Sequence, residues 1–68
     1  MRMHQRFELM NVKKLIIQYQ PLPGQWQTFQ TRIDVVEAQQ LMQIRAYATG
    51  QMHRIIDQEG NLIGLLKP

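Results

Sequence analysis

The sequence contains no cysteine and no serine among its 68 residues. Disulfide bonds and thiolate metal sites are therefore excluded, and neither a cysteine nor a serine can serve as a catalytic nucleophile. No apolar run approaches the roughly 20 residues that a membrane-spanning helix needs. Hydrophobic residues nevertheless make up 44% of the chain and charged residues 19%. This composition is typical of one small globular domain rather than of a disordered chain.

Residues that carry out chemistry are also scarce. Asp34 and Glu37 fit a helix cap, and Asp57 and Glu59 flank a predicted turn, so four of the five carboxylates have a structural explanation. The two histidines lie far apart in the sequence and form no metal-binding motif, and His53 is expected to be tucked into a strand or half exposed on it. The glycines form no phosphate-binding loop. We therefore expect no catalytic residue, no metal site and no cofactor, and a protein that is not an enzyme.

Positive charge is concentrated at the start of the sequence. Residues 1–14 carry the whole net charge of +3, while the remainder contains four basic and four acidic residues. Residues 1–11 are predicted to form a basic arm or to extend the first strand, ahead of a single domain over residues 12–68. Such an arm either aids solubility or binds nucleic-acid phosphates through Arg2, Arg6, Lys13 and Lys14. No signal-peptide pattern is present, so a cytoplasmic location is expected.

The first half of the domain is predicted to be a β-hairpin. Within residues 13–20, Leu15, Ile17 and Tyr19 alternate with a second row that is polar except for Ile16. Residues 25–33 are rich in Trp, Phe, Thr and Ile. Pro23 and Gly24 suit the two central positions of a type II turn. Because a shift of one residue inverts a strand, the sequence leaves open whether Trp26 or Phe29 faces the core.

A helix of about fourteen residues is predicted to follow. Asp34 as N-cap and Glu37 three residues later have the form of a capping box, and Gly50 is a typical left-handed stop. Helical spacing predicts an apolar stripe of Leu41, Ile44 and Ala48, with Ala38, Met42 and the aliphatic stem of Arg45 beside it.

The last third of the sequence predicts a second hairpin, around a type I turn with a G1 bulge at Gly60. Pairing Asp57 with Asn61 distributes apolar residues over both faces: Ile55, Ile63 and Leu65 on one, and Met52, Ile56, Leu62 and Leu66 on the other. A single helix covers only one face of a sheet, so the second face is expected to need a partner. Gly64 either lets another backbone approach closely or marks a bulge.

Part of the sequence resembles the helix and hairpin of a CBS domain. The similar residues are Glu37, Ala38, Leu41 and Met42, followed by residues 55–66 with the pattern D-x-x-G-x-hydrophobic-x-G. The resemblance implies adenine-nucleotide binding. It covers less than half of the chain, residues 12–33 have no counterpart in it, and the hairpin pattern also arises from turn chemistry alone, so no family is assigned.

These patterns together predict an α+β fold of order β-β-α-β-β, with one four-stranded antiparallel sheet packed against one helix. The leading functional hypothesis is a small non-catalytic module that acts through protein–protein contacts, as a homodimer or with another protein. Its expected surface comprises Ile16, Trp26, Ile56, Leu62 and Leu66. The alternative is a nucleic-acid-binding regulator in which a dimer doubles the basic arm. No membrane partner is expected.

Overall fold

The computed structural model describes residues 13–68 of the chain. These residues form one antiparallel four-stranded sheet and one helix in the order β-β-α-β-β, which confirms the predicted α+β fold. The elements are β1 (Leu15–Leu22), β2 (Gln25–Arg32), α1 (Val35–Thr49), β3 (His53–Asp57) and β4 (Leu62–Leu66). The strand order across the sheet is β2-β1-β3-β4. The two edge strands are therefore β2 and β4.

Both hairpin turns adopt the conformations that their residues favour. Gly24 has a φ of 80° directly after Pro23, as the third position of a type II turn requires. In the second hairpin the Gly60 amide donates to the Asp57 carbonyl at 3.0 Å, and Gly60 has a φ of 86°. The Asp57 amide bonds to the Asn61 carbonyl at 3.0 Å, which closes the predicted bulged turn.

The helix begins and ends where the sequence predicts. Asp34 is the N-cap, and its carboxylate accepts a hydrogen bond from the Val36 amide at 3.0 Å. Within residues 13–68 no return bond runs from Glu37 to the Asp34 amide, so only half of the capping box forms. Gly50 is left-handed, and its amide donates to the Ala46 carbonyl at 2.8 Å.

The buried face of α1 differs from the predicted stripe. Ala38, Met42 and Ala46 are buried, whereas Ile44 is 69% exposed and Ala48 is exposed. The prediction that Ile44 and Ala48 face the core was therefore wrong. The small side chains of Ala38 and Ala46, eight residues apart on the same side of the helix, let it approach the sheet closely, and the flexible Met42 side chain fills the space between them.

The register of the second hairpin also differs from the prediction. Ile56 lies opposite Leu62 as expected, but Ile55 lies opposite Gly64 and His53 opposite Leu66. Ile63 is an extra residue in β4, and such a bulge inverts the facing of every residue that follows it. Leu66 therefore lies on the helix side of the sheet and Leu65 on the other, the reverse of the expected arrangement.

The helix covers one face of the sheet and leaves the other without cover from residues 13–68. The core lies between α1 and the sheet: Ile17 and Ile55 are fully buried against Ala38 and Met42, with Leu15, Phe29, Leu41 and Leu66 packed around them. Because strand side chains alternate, the neighbours of Ile17 and Ile55 point away from the helix. We call this second surface the open face. It carries Ile16, Gln18, Trp26, Thr28, Arg54, Ile56, Leu62 and Leu65.

Candidate interaction surface

Four large apolar side chains of the strands are strongly exposed, of which three lie on β4 and the fourth is Leu22 at the end of β1. Leu62 is 58% exposed, Ile63 41% and Leu65 54%, so three of the five residues of this strand present apolar surface to solvent. No residue between 13 and 68 pairs with the outer edge of β4. Together with Ile56, which lies opposite Leu62, these residues form a surface that we call the β4 patch.

An apolar row extends the β4 patch across the open face. Ile16 of β1 lies opposite Ile56 of β3, and Ile56 lies opposite Leu62 of β4. Ile16 and Ile56 are half-buried by their neighbours within the sheet, whereas Leu62 at the edge is exposed. The apolar surface is therefore most accessible at the β4 edge and decreases toward the centre of the sheet.

A polar row lies beside the apolar one. The Arg54 Nε donates to the Gln18 Oε1 at 2.8 Å, and the Gln18 Nε2 donates to the Thr28 hydroxyl at 3.3 Å. The Arg54 guanidinium lies 4.1 Å from the centroid of the Trp26 ring. The Arg54 guanidinium is thus stacked on an aromatic ring and hydrogen-bonded within the domain. These contacts lower the desolvation free energy that a partner must overcome to bury this part of the open face.

On the helix side, Phe29 rather than Trp26 faces the core. The Arg45 guanidinium lies 4.0 Å from the Phe29 ring centroid and 4.9 Å from that of Tyr19. The His53 ring lies 6.0 Å from Tyr19, centroid to centroid, and its Nδ1 bonds to the Gln51 carbonyl at 2.8 Å. Because a carbonyl oxygen only accepts, Nδ1 carries the proton. His53 is fully buried, as one of the expected alternatives stated, and packs within the domain.

Asp57 functions as a turn residue in this structure. One of its carboxylate oxygens accepts from the Asn61 amide at 2.8 Å and from the Glu59 amide at 2.9 Å, and the other accepts from the Asn61 Nδ2 at 3.0 Å. These hydrogen bonds, chiefly the one from the Asn61 side chain, hold the pKa of Asp57 below its ordinary value. The carboxylate therefore stays ionised and fixes the turn that precedes β4.

The structure brings most of the sequence-predicted interface together. Ile16, Trp26, Ile56 and Leu62 share the open face, whereas Leu66 packs against the core beneath the helix. Sequence reasoning placed Leu65 on the opposite face and left Ile63 out of the interface. The sequence contains one signal for this bulge: Gly64 lies within the strand, and a glycine in that position commonly marks a bulge.

The basic arm lies largely outside the described residues. This applies to Arg2, Arg6 and residues 1–11 as a whole. Lys13 and Lys14 are exposed ahead of β1, and Lys13 contributes a weak favourable charge interaction to Asp57.

Residues 13–68 contain no cluster of three or more His, Asp or Glu side chains that could hold a metal ion. Within the same residues, α1 is too short and too polar to cross a bilayer. The sequence matches no protein-family model, and comparison with curated proteins and with solved structures gave no match.

Proposed function

We propose that this protein is a small non-catalytic interaction module that acts by binding a second copy of itself. The observation that carries the proposal is the β4 patch: an edge strand without charged residues, whose Leu62, Ile63 and Leu65 side chains are exposed. Edge strands in soluble proteins usually carry a lysine, a proline or another protecting feature, because their unpaired amides and carbonyls otherwise recruit another strand. β4 has a bulge at Ile63 but no charge or proline within the strand.

Domain size supports the same function. A chain of 8.1 kDa buries a smaller share of its surface on folding than a larger domain does. Only five hydrophobic residues are buried between residues 13 and 68, and two of these are alanines. Small domains without disulfides or metals commonly gain stability by self-association. Burial of the exposed apolar side chains of β4 against a second copy would provide this additional stability.

A second copy is favoured over a charged partner because the interface is nearly neutral. β4 contains no ionisable side chain, and the only cation among the open-face residues, Arg54, is already stacked on Trp26 and bonded to Gln18. Residues 15–68 carry equal numbers of basic and acidic side chains, so the net charge of +3 comes from residues 1–14 and not from the residues that form the patch. No feature of the patch calls for a partner of opposite charge.

The test is the molecular mass in solution, measured by sedimentation velocity from about 1 to about 200 µM. We expect the mass to rise with concentration toward twice the chain mass of 8.1 kDa. Leu62→Lys, which places a charge in the patch, should remain monomeric over the same range. Ile44→Lys is the matched control, since Ile44 is an exposed apolar side chain on the outer surface of α1. It should associate as the wild type does.

Several results would overturn the proposal. A wild-type protein that stays monomeric throughout this range contradicts it directly. If Val36→Lys dissociates the dimer and Leu62→Lys does not, the exposed residues at the start of α1 form the contact instead. A monomer that shifts nucleic acid in a gel at low salt, and stops doing so when residues 1–14 are deleted, would establish the alternative function of the arm.

A further inference from the structure

We infer that the second copy packs its open face against the open face of this copy, with the strands of the two sheets antiparallel and the two-fold axis along the apolar row. This inference rests on the proposed function, because it specifies how the second copy covers the β4 patch. The apolar row of Ile16, Ile56 and Leu62 continues to Thr31, which lies opposite Ile16 on β2. On a two-fold axis each residue contacts its own counterpart, so the apolar side chains of one copy meet those of the other.

Packing through the face is favoured over pairing through the β4 edge because it covers the surface that α1 leaves open. A second strand hydrogen-bonded to β4 would extend the sheet and leave Ile16 and Ile56 without cover. Leu62 and Leu65 lie on the open face, and strand side chains stand roughly perpendicular to their sheet, so a body in front of the face buries them. The bulge at Ile63 also interrupts the main-chain groups along β4, and bulges commonly protect an edge from pairing.

The size of the open face is sufficient for a weak dimer. The sheet has four strands of five to eight residues, which measure about 19 Å across and about 16–26 Å along the strands. Protruding side chains make the accessible area larger than this projection, so two faces together bury on the order of 1,000 Å², the lower end of the range for specific interfaces. A contact along β4 alone would be one strand wide and would fall well below that range.

Charge complementarity determines the direction of the second copy. Arg54, the cation of the open face, lies two residues, or about 7 Å, to one side of Ile56. Rotation about the apolar row sets Arg54 over the position two residues to the other side of Ile56 in the second copy, which is Gln58. Gln58 and its neighbour Glu59 are exposed in the turn between β3 and β4. The guanidinium of each copy is therefore within reach of the Glu59 carboxylate of the other.

Both groups of this ion pair have unused hydrogen-bonding capacity. The Arg54 Nε donates to the Gln18 Oε1 at 2.8 Å, and among the hydrogen bonds of residues 13–68 neither terminal nitrogen of Arg54 is a donor. A guanidinium has five N–H donors, so those of the terminal nitrogens are available to a carboxylate. The Glu59 carboxylate accepts only a long bond from the Asn61 Nδ2, at 3.5 Å, within the same residues.

A two-fold axis parallel to the strands fits the open face less well. Through β3, it would set the two Arg54 side chains against each other, and like charges in contact oppose association. Between β1 and β3, it would set Leu62 over Thr31 of the second copy, so that leucine meets a polar side chain. Between β3 and β4, it would leave Ile16 uncovered. The axis along the apolar row avoids all three defects.

The first experiment separates face packing from a contact at the β4 edge, with the dimer dissociation constant from sedimentation as the readout. Thr31→Lys sets two lysines against each other on the axis and should raise the constant at least about tenfold. Gln30→Lys is the matched control, because Gln30 is also exposed on β2 but lies opposite Ile17, on the helix side. It should dimerise as the wild type does. A contact through β4 alone would leave both variants unchanged, since β2 is the far edge of the sheet.

The second experiment tests the direction of the second copy. Gln58→Glu adds a carboxylate opposite Arg54 of the other copy and should lower the dissociation constant about fivefold at low salt, with the gain lost at about 1 M salt. Gln40→Glu makes the same charge change at an exposed position of α1 and should leave the constant unchanged. In an Arg54→Gln background, Gln58→Glu should no longer tighten the dimer.

The outcomes distinguish this inference from the proposed function. If the wild type is monomeric, both fail, and NOEs from residues 1–12 to Leu62 would then show that the start of the chain covers the open face. If the wild type dimerises but Thr31→Lys behaves like Gln30→Lys, the proposed function stands and face packing is overturned. If Thr31→Lys dissociates the dimer but Gln58→Glu behaves like Gln40→Glu, the antiparallel direction is overturned.

Discussion

The replacement of Leu65 by alanine gives the most quantitative test of the β4 patch. Leu65 is 54% exposed, and it lies opposite Arg54 on the open face. Its exposed half is therefore available for burial by a second copy. Because a two-fold dimer contains the residue twice, Leu65→Ala removes the same contact from both sides of the interface.

The expected loss follows from the buried area. Complete burial of a leucine side chain stabilises by about 1.5–3 kcal/mol, so the exposed half of Leu65 contributes about 0.8–1.6 kcal/mol in each copy. Two copies together contribute about 1.6–3.2 kcal/mol, which corresponds to a rise of about 15- to 200-fold in the dimer dissociation constant. The free energy of unfolding of the monomer should change by less than about 0.5 kcal/mol, because an exposed side chain contributes little to it.

Sedimentation equilibrium of the wild type, Leu65→Ala and the control Ile44→Ala measures these quantities. Ile44→Ala removes an exposed apolar side chain of similar size from the outer surface of α1 and should leave the dissociation constant unchanged. An unchanged dimer dissociation constant in Leu65→Ala would refute the prediction, because it would show that the exposed part of Leu65 is not buried in the dimer contact. Equal weakening by both variants would indicate nonspecific association instead.

Two further predictions test the fold on which the site depends. Met42→Ala should lower the free energy of unfolding by about 2–5 kcal/mol, because Met42 is buried in the core. Ile44→Ala should change it by less than about 0.5 kcal/mol, because Ile44 is exposed. Urea titration of both variants measures the difference, and the reverse ranking would show that the buried face of the helix is assigned wrongly. Asp57 has a lowered pKa in the folded state, so its stabilising contribution is present above the ordinary carboxyl pKa and is lost as pH falls through the folded value. Wild-type stability should therefore fall more steeply on acidification from about pH 6 to about pH 2 than that of Asp57→Asn, and parallel curves for the two proteins would contradict this.

Much of the fold could be predicted because the signals are local. Pro23-Gly24, the Asp34 cap, Gly50 and the Asp57–Gly60 turn each specify a backbone conformation through the residue at that position, and the structure contains all of them. These signals divide the chain into two hairpins and one helix. Because the helix lies between the two hairpins in the sequence, one sheet packed against one helix is the simplest way to bury the apolar residues.

The candidate site could be predicted only in part. Ile16, Ile56 and Leu62 lie on the open face as expected, because the β1–β3 register is regular and Leu62 precedes the bulge in β4. Trp26 also lies there, within a stretch of β2 whose register with β1 is irregular. The assignments of Leu65 and Leu66 were exchanged, since one extra residue at Ile63 inverts the rest of β4. The same limitation left the choice between Trp26 and Phe29 open until the register of β2 was known.

The sequence by itself determined where the chain turns, where the helix starts and stops, and that more apolar surface exists than one helix can shelter. Tertiary structure alone decided which side of each element is buried: the rotation of α1 onto Ala38, Met42 and Ala46, the placement of Phe29 beneath Arg45, and the exposure of Leu65 at the β4 edge. Turn and cap preferences act within a few residues, so they can be read from the chain. Facing depends on packing between residues far apart in sequence, where a single bulge or a small side chain shifts the balance.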